Sequence, residues 1–399
     1  MTGPGAAIHG RTDRLELIDG LRAMALAGVI IMNMMTFAGL SYLTPDMRAE
    51  LLSPLDHAAW GFLRVFVDGK ALAAFSFMFG FSFSIIMARA QATEEQPARR
   101  FIRRLLTLFL IGLFNALFLY WADILMTYAA LGLILPLAGR LPARVIAAVG
   151  GALILIGPLV LALGGYGAAI PPPRGHLDSL DAYASPQIAD VVQQNWHMIL
   201  NASDSADSML VLRLFTLSGL FLLGLAAGKS GLLMRMMGER AMLWRLGLGL
   251  VGIGLAMKLA MRFWLGGEGV WALLNLQTPP MALGYLMLIA AALSGTGAHV
   301  LRRLLAPLGR MTLTGYLTSA ILGQMVFYGW GFGLIGQLGT LGTLAVAIGV
   351  YALLLGFAHL WFRRFLVGPW EWLWHSLTNL KPQPITATAR TGDSLTRRI

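Results

Sequence analysis

The chain has 399 residues, of which 57% are hydrophobic and 12% are charged, about half the charged share of a soluble domain. This composition argues against a water-soluble fold. The absence of cysteine excludes disulfides, zinc-thiolate sites, iron–sulfur clusters and cysteine nucleophiles. We attribute the net charge of +11 to basic residues at the cytoplasmic ends of membrane helices, and not to nucleic-acid binding.

Ten apolar segments follow one another along the chain. A helix needs about twenty such residues to cross the hydrocarbon core of a bilayer. The segments lie approximately at 22–42, 71–91, 105–121, 123–139, 145–166, 210–228, 244–264, 279–295, 311–329 and 341–361. No cleavage site of small residues follows the first segment, so we expect it to be retained. The predicted fold is all-α, a polytopic membrane helical bundle of about ten transmembrane helices.

The distribution of basic residues predicts how this bundle is oriented. If the segments alternate from a cytoplasmic start, 23 of the 30 lysines and arginines fall on the cytoplasmic side. Lysine and arginine beside a membrane helix resist translocation, so this asymmetry predicts that both termini are cytoplasmic.

Three parts of the chain are distinguished by composition. They are a polar cytoplasmic segment at 1–21, a ten-helix domain at 22–362 with a periplasmic loop at about 167–208, and a cytoplasmic region at 363–399. Within the loop, one short helix is predicted around 186–200. The stretch 366–378 contains three tryptophans and follows two arginines, which favours a helix in the cytoplasmic membrane interface.

The first apolar helix carries polar residues that cost free energy in lipid. Asp19 and Arg22 are three residues apart, so they can form an ion pair, and the guanidinium could equally hold a phosphate or diphosphate. Asn33 lies eleven residues after Arg22, on the same helix face and about 16 Å further along the axis. An interhelical hydrogen bond is the more common use of such an asparagine.

Three further polar residues flank the second and fourth segments. His57 follows Asp56, and its imidazole suits a general base near neutral pH, although an interfacial histidine is often only solvated. Lys70 precedes the second segment. Asp123 begins the fourth segment, where its carboxylate could assist a base or could simply cap the helix.

The chain is identified as a member of the YeiB family of bacterial inner-membrane proteins, because six blocks resemble that family in the same order. The blocks are RLELIDGLRAMALAGVIIMNM, DGKALAAFSFMFGFSF, RRLLTLFLIGLFNALFLYWADILMTYAALGLIL, LSGLFLLGLAAGKSGL, LGRMTLTGYLTSAILGQMVFYGWGFGL and FRRFLVGPWEWLWHSLT. The resemblance covers both halves of the chain and implies a multi-pass location in the bacterial inner (plasma) membrane.

The first helices are also similar to those of a wider transmembrane acyltransferase superfamily. The O-antigen branch has a D-G-L-R-A motif and a histidine eleven residues after the arginine. Residues 19–23 match that motif, but Asn33 stands in place of the histidine, and an amide cannot accept a proton at physiological pH. The heparan-alpha-glucosaminide N-acetyltransferase branch instead has an H-A-x-W segment before the second helix. Residues 57–60 match it, so this resemblance implies that His57 is the catalytic base.

The resemblance implies acyl transfer from a cytoplasmic coenzyme A thioester, acetyl-CoA or a longer acyl-CoA, to a hydroxyl or amine on the periplasmic side. Arg22, with Asp19 and Asn33, would hold the thioester, while Asp123 and Lys70 would support His57. No metal is expected. The partners would be the bilayer and a small-molecule, lipid or glycan acceptor, and a homo-oligomer is left open. The alternatives are a small-molecule transporter or exporter, in which these polar groups line a path, and a non-catalytic accessory protein.

Overall fold

The structure is a computed structural model, and it describes residues 4–93, 97–163, 178–200, 207–236, 238–264 and 275–386. These residues form helices and no strand. The first ten helices are α1 Pro4–Phe37, α2 Pro45–Leu51, α3 Pro54–Phe66, α4 Lys70–Thr93, α5 Pro97–Phe118, α6 Leu125–Gly132, α7 Ile134–Ala138, α8 Ala143–Leu163, α9 Asp178–Ala184 and α10 Ile188–Leu200. The next eight are α11 Asp207–Ser230, α12 Leu232–Met236, α13 Arg240–Trp264, α14 Thr278–Leu293, α15 His299–Arg310, α16 Thr312–Phe327, α17 Thr340–Trp361 and α18 Pro369–Asn379.

The predicted all-α polytopic bundle is confirmed. Seven helical stretches are long and apolar enough to cross a membrane: 54–88 and parts of α5, α8, α11, α13, α14 and α17. The other three predicted segments correspond to α1, the pair α6–α7 and α16. The fourth segment is broken, because α6 ends at Gly132 and α7 begins at Ile134. The sixteen residues of α16 span about 24 Å, somewhat less than the hydrocarbon core.

Helix α1 is the centre of the bundle. It packs against α4, α14, α15, α16 and α17, and most of its side chains from Leu17 to Ala38 are at least half buried. It begins at Pro4, so the helix extends through most of the segment 1–21 that the sequence set apart. Helices α8, α13 and α17 instead leave most of their apolar surface exposed, as expected of helices that face lipid.

Two glycines allow α4 and α11 to touch through their backbones. A Cβ atom placed on Gly80 would lie 1.9 Å from the carbonyl oxygen of Phe221, and one on Gly224 would lie 2.0 Å from that of Phe77. Small residues permit such close crossings in membrane bundles, where dispersion contacts replace the hydrophobic driving force. This crossing holds α4 between α1 and α11.

Contacts between chain segments bring together segment ends that the predicted alternation places on one side. On the face where α1 begins, Lys229 Nζ donates to the carbonyl oxygens of Gly139 and Leu141, each at 2.7 Å. Arg240 Nε donates to Ala291 O at 3.0 Å on the same face. We call this end of the bundle the cytoplasmic face, following the charge asymmetry of the sequence.

The opposite end, here called the outer face, is joined in the same way. The amide of Gly329 donates to Tyr183 O at 2.9 Å, and the amide of Gly336 donates to Ala38 O at 3.0 Å. The short helix predicted around 186–200 is present as α10, and α9 precedes it. The remainder of the predicted loop, 167–177 and 201–206, lies outside the described residues, and so does the end of the polar tail after 386.

Candidate functional site

The Asp19–Arg22 pair forms on the cytoplasmic part of α1. Arg22 Nη1 donates to Asp19 Oδ1 at 3.0 Å, and Nη2 donates to Ser82 Oγ on α4 at 2.6 Å. The Arg22 side chain is still 27% exposed. A Cβ atom on Gly309 would lie 1.8 Å from Asp19 O, so α15 crosses α1 at this point. The pair is therefore fixed by three helices while part of the guanidinium stays accessible.

More guanidinium groups gather around this pair. The charges of Arg22 and Arg100 act on Arg104 of α5, and the charge of Arg310 acts on Asp19. We call Arg22, Arg100, Arg104 and Arg310 the arginine cluster. Arg22 and Arg310 act on the carboxylate of Asp19, with that of Glu16 nearby. Among the described residues, the four guanidinium groups therefore outnumber these two carboxylates. Such a surface suits phosphate groups, which accept forked hydrogen bonds from guanidinium.

Helix α18 forms one wall of the arginine cluster. The Arg104 guanidinium lies over the ring of Trp374, 3.7 Å from its centre, and Trp374 Nε1 donates to Arg104 O at 2.9 Å. Burial, together with the charges of Arg104 and Arg100, lowers the pKa of His375 to about 4. His375 is therefore neutral at physiological pH.

A buried carboxylate attaches α18 to the start of α16. Glu371 is 7% exposed and accepts three hydrogen bonds, from Leu313 N at 2.7 Å, Thr314 N at 3.1 Å and Thr314 Oγ1 at 2.6 Å. Burial raises the pKa of the Glu371 carboxyl, and these hydrogen bonds act in the opposite direction. A carboxylate at a helix amino terminus also interacts favourably with the helix dipole. The predicted interfacial helix is thus anchored to the bundle.

Polar side chains continue inside the bundle between the two faces. Asn33 is 8% exposed, and its Nδ2 has no hydrogen-bond partner among the described residues. The hydroxyls of Ser76 on α4 and Tyr128 on α6 lie 2.8 Å apart. The interhelical hydrogen bond expected of Asn33 is therefore not found for its buried amide nitrogen, which keeps an unused donor.

Asp123 precedes α6 and is held by the start of that helix and by two neighbouring helices. Its Oδ2 accepts from Met126 N at 2.8 Å near the start of α6. Its Oδ1 accepts from Asn115 Nδ2 at 2.7 Å and from Tyr316 OH at 3.5 Å. The capping role is thus present, and the carboxylate also joins α5, α6 and α16.

The outer face holds His57 and Lys70 in separate surroundings. His57 is exposed on α3 and forms no side-chain hydrogen bond or ion pair with another described residue. Lys70 is buried at the start of α4, where the charges acting on it are those of Lys258, Asp68 and Arg64. Among the described contacts, none joins His57 to Asp123 or Lys70.

Several residues that shape these regions were not predicted from the sequence. Asn115 lies in the apolar run LIGLFNALF, where a polar side chain inside a membrane helix was a usable signal. Glu371 lies between two tryptophans, and its charge in an apolar stretch was a second signal. Ser82 and Tyr316 gave no comparable signal, since serine and tyrosine are common in membrane helices. The described residues contain no group of three or more His, Asp or Glu side chains arranged for a metal ion.

Comparisons with known proteins find relatives along nearly the whole chain. A family model described as "Protein of unknown function (DUF418)" matches residues 227–381. Protein YeiB of Escherichia coli (strain K12), described as uncharacterised, is 30% identical over 95% of this chain and 100% of its own length. Protein YxaH of Bacillus subtilis (strain 168), also described as uncharacterised, is 29% identical over 94% and 96%. No solved structure matches.

Proposed function

The chain belongs to the YeiB family, and on that premise we propose that it is an integral-membrane acyltransferase. It takes an acyl group from a coenzyme A thioester on the cytoplasmic face and passes it to a hydroxyl or amine acceptor on the outer face. The acyltransferase activity rests on the likeness of the first helices to the acyltransferase superfamily. The arginine cluster is the observation that supports it best.

The hydrogen-bond donors of the arginine cluster suit the phosphates of coenzyme A. It presents guanidinium groups from α1, α5 and α15, in excess over the nearby carboxylates. Arg22 is partly exposed, and the Nε of Arg103, in the same turn of α5 as Arg104, is buried without a described partner. These arginines would bind and orient the phosphates, and the thioester would supply the acyl group when bound.

The remaining residues act along α1 toward the outer face. Asn33 lies on the same face as Arg22, where its unused amide donor can hydrogen-bond an acyl or thioester oxygen. His57 takes the proton from the acceptor hydroxyl or amine as that atom attacks the acyl carbon, and the thiolate that leaves is protonated to the free thiol. Asp123, already hydrogen-bonded by Asn115, Tyr316 and the start of α6, acts as a positioning residue.

Binding of coenzyme A and transfer of the acyl group can be tested separately. We would measure acetyl-CoA binding by calorimetry in nanodiscs, and transfer of a labelled acetyl group to components of the producing cell's membranes. Arg22→Gln should weaken binding at least tenfold, since it removes a charged donor of the arginine cluster. His57→Ala should abolish transfer and leave binding unchanged.

Arg245→Gln is the matched control, because Arg245 is an exposed arginine on the same face, on α13. It should bind acetyl-CoA like the wild type. Absence of any coenzyme A binding by the wild-type protein would overturn the proposal. If acyl transfer survives in His57→Ala, a residue other than His57 is the general base.

Transport of a phosphorylated small molecule is the second candidate. It is favoured by the polar groups inside the bundle, Asn33 and the Ser76–Tyr128 pair. It is also favoured because no described contact joins His57 to Asp123. Anion flux into proteoliposomes without acylated product, abolished by Arg22→Gln and unaffected by His57→Ala, would favour transport over acyl transfer.

A further inference from the structure

We propose that the outer face carries a second anion-binding site, formed by Lys70, Lys258 and Arg64, which holds a phosphate group of a lipid headgroup or of a soluble phosphate ester. This site is separate from the arginine cluster, which lies at the other end of the bundle. It does not depend on the acyltransferase proposal.

Lys70 is enclosed where α3 turns into α4. It is the first residue of α4 and is 2% exposed. Gly69 precedes it with φ of +77°, a conformation that favours glycine and allows the sharp turn between the two helices. A Cβ atom on Gly69 would lie 3.6 Å from Thr278 Cγ2, so the start of α4 lies against the start of α14.

Helix α13 brings a second ammonium group to the same corner. Gly254 lies one turn before Lys258, and a Cβ atom on it would be 3.0 Å from Gln277 O. Gln277 is the neighbour of Thr278 and therefore connects the two contacts. The charge of Lys258 acts on Lys70, as does that of Arg64 on α3.

The described residues supply too little negative charge for these cations. Asp68 is the carboxylate acting on both lysines, and its Oδ2 already accepts from Arg64 Nη1 at 2.5 Å. One carboxylate thus faces three cations, one of which is buried. A buried ammonium without a full counter-charge is costly, and an anion that bridges the cations removes much of that cost.

The position of the site at the outer end of the bundle favours phosphate as the anion that it binds. The site lies at the outer end of α4 and α13, where the stem of the partly exposed Lys258 can extend along apolar surface toward the membrane interface. Lipid phosphates occupy this depth, and a phosphate oxygen array accepts hydrogen bonds from several cations at once. Arg64 is exposed and Lys258 is partly exposed, so an anion can approach the site from their side.

The experiment compares thermal midpoints of the purified full chain in a neutral detergent with three additions: phosphatidylglycerol, diacylglycerol as the lipid without phosphate, and glycerol phosphate. The thermal midpoint of the wild-type protein should rise by about 3 °C or more with the phosphate compound that binds, because binding to the folded state alone stabilises that state. Without anion, Lys70→Met should be at least as stable as wild type, and with anion it should gain nothing. Lys70→Arg should keep the gain.

The additions distinguish the two sources of phosphate. A shift with phosphatidylglycerol alone indicates a lipid headgroup, and a shift with glycerol phosphate indicates a soluble ester. If Lys70→Met folds poorly, Lys258→Gln is the second variant to measure. It should lose at least half of the rise in thermal midpoint that the phosphate compound causes in the wild type. Arg245→Gln on the cytoplasmic face should shift like the wild type. Equal shifts with diacylglycerol, no shift in the wild type, or an unchanged shift in both lysine variants would overturn the site.

Discussion

Two carboxylates hold helix amino termini at opposite ends of the bundle, and their surroundings differ. On the cytoplasmic face, Glu371 of α18 accepts from Leu313 and Thr314 at the start of α16. On the outer face, Asp56 of α3 accepts from the amide of Leu341 at the start of α17 at 2.8 Å. Each carboxylate attaches a short peripheral helix to a long inner or lipid-facing one.

The difference between the two caps is burial. Glu371 is almost completely buried, and all three of its hydrogen bonds are shielded from water. Asp56 is only partly buried, and its other side-chain bond is to Ser53 Oγ at 2.6 Å in the same turn. Removing a buried acceptor leaves donors unpaired, whereas water replaces an exposed one. The same capping chemistry should therefore stabilise the two faces unequally.

The largest expected effect comes from Glu371→Ala. It leaves two backbone amides and one hydroxyl of α16 buried without an acceptor, at about 1–3 kcal/mol for each group. We expect a loss of about 3 kcal/mol or more, together with release of α18, measured as the thermal midpoint by tryptophan fluorescence and as new protease cleavage after α17. Glu239→Ala, at an exposed glutamate on the same face, is the control and should change little. Unchanged stability in Glu371→Ala would show that α18 is held by other contacts.

The second effect is a dependence of folding stability on pH, which originates in His375. Its pKa falls from an ordinary 6.5 to about 4 in the folded protein. The folded state therefore binds fewer protons than the unfolded state, and stability is full above pH 6.5 and decreases toward pH 4, by up to about 3 kcal/mol. Glu371, whose pKa is raised, works in the opposite sense.

The quantity to measure is the difference between wild type and His375→Gln. The variant should lose less stability between pH 6.5 and 4, because its side chain takes up no proton. His299→Gln, at an exposed histidine on the cytoplasmic face, should follow the wild-type curve. Parallel curves for wild type and His375→Gln would contradict the inferred environment of His375.

The fold could be predicted from the sequence because lipid imposes a simple rule on it. Membrane helices need long apolar runs, and basic residues mark the cytoplasmic side, so ten segments and their alternation were visible in composition alone. The break at Leu133 and the extension of α1 to Pro4 were not visible. Hydropathy identifies how apolar a stretch is, but it does not show where one helix gives way to another.

The candidate site was less predictable, because partners depend on which helices meet. The Asp19–Arg22 pair was predicted, since both residues lie on one helix face. Ser82 as the second partner of Arg22, and Glu371 as a cap for α16, required knowledge of contacts between distant segments. For His57, the structure adds an exposed position on α3, while its catalytic role stays a prediction.

A smaller effect is expected on the outer face, for Asp56→Ala. Loss of a partly exposed helix cap costs about 1 kcal/mol, because water can satisfy the freed amide of Leu341. The thermal midpoint should fall less than in Glu371→Ala, and Asp56→Asn should fall less again, since its amide oxygen still accepts a hydrogen bond. Asp46→Ala, at an exposed carboxylate on α2, is the control. If Asp56→Ala lowered the thermal midpoint as much as Glu371→Ala, the two caps would stabilise the protein equally, which would contradict the proposed difference.

The smallest expected quantity is the coupling between the two caps. Residues far apart without shared partners contribute additively, within about 0.5 kcal/mol, so the double variant Asp56→Ala/Glu371→Ala should lose the sum of the single losses. The caps do have one indirect connection, because α16 and α17 pack against each other and against α1. A coupling well above that limit would mean that this packing transmits the loss of one cap to the other. The two faces would then unfold as one cooperative unit, and both caps would stabilise that unit despite their different burial.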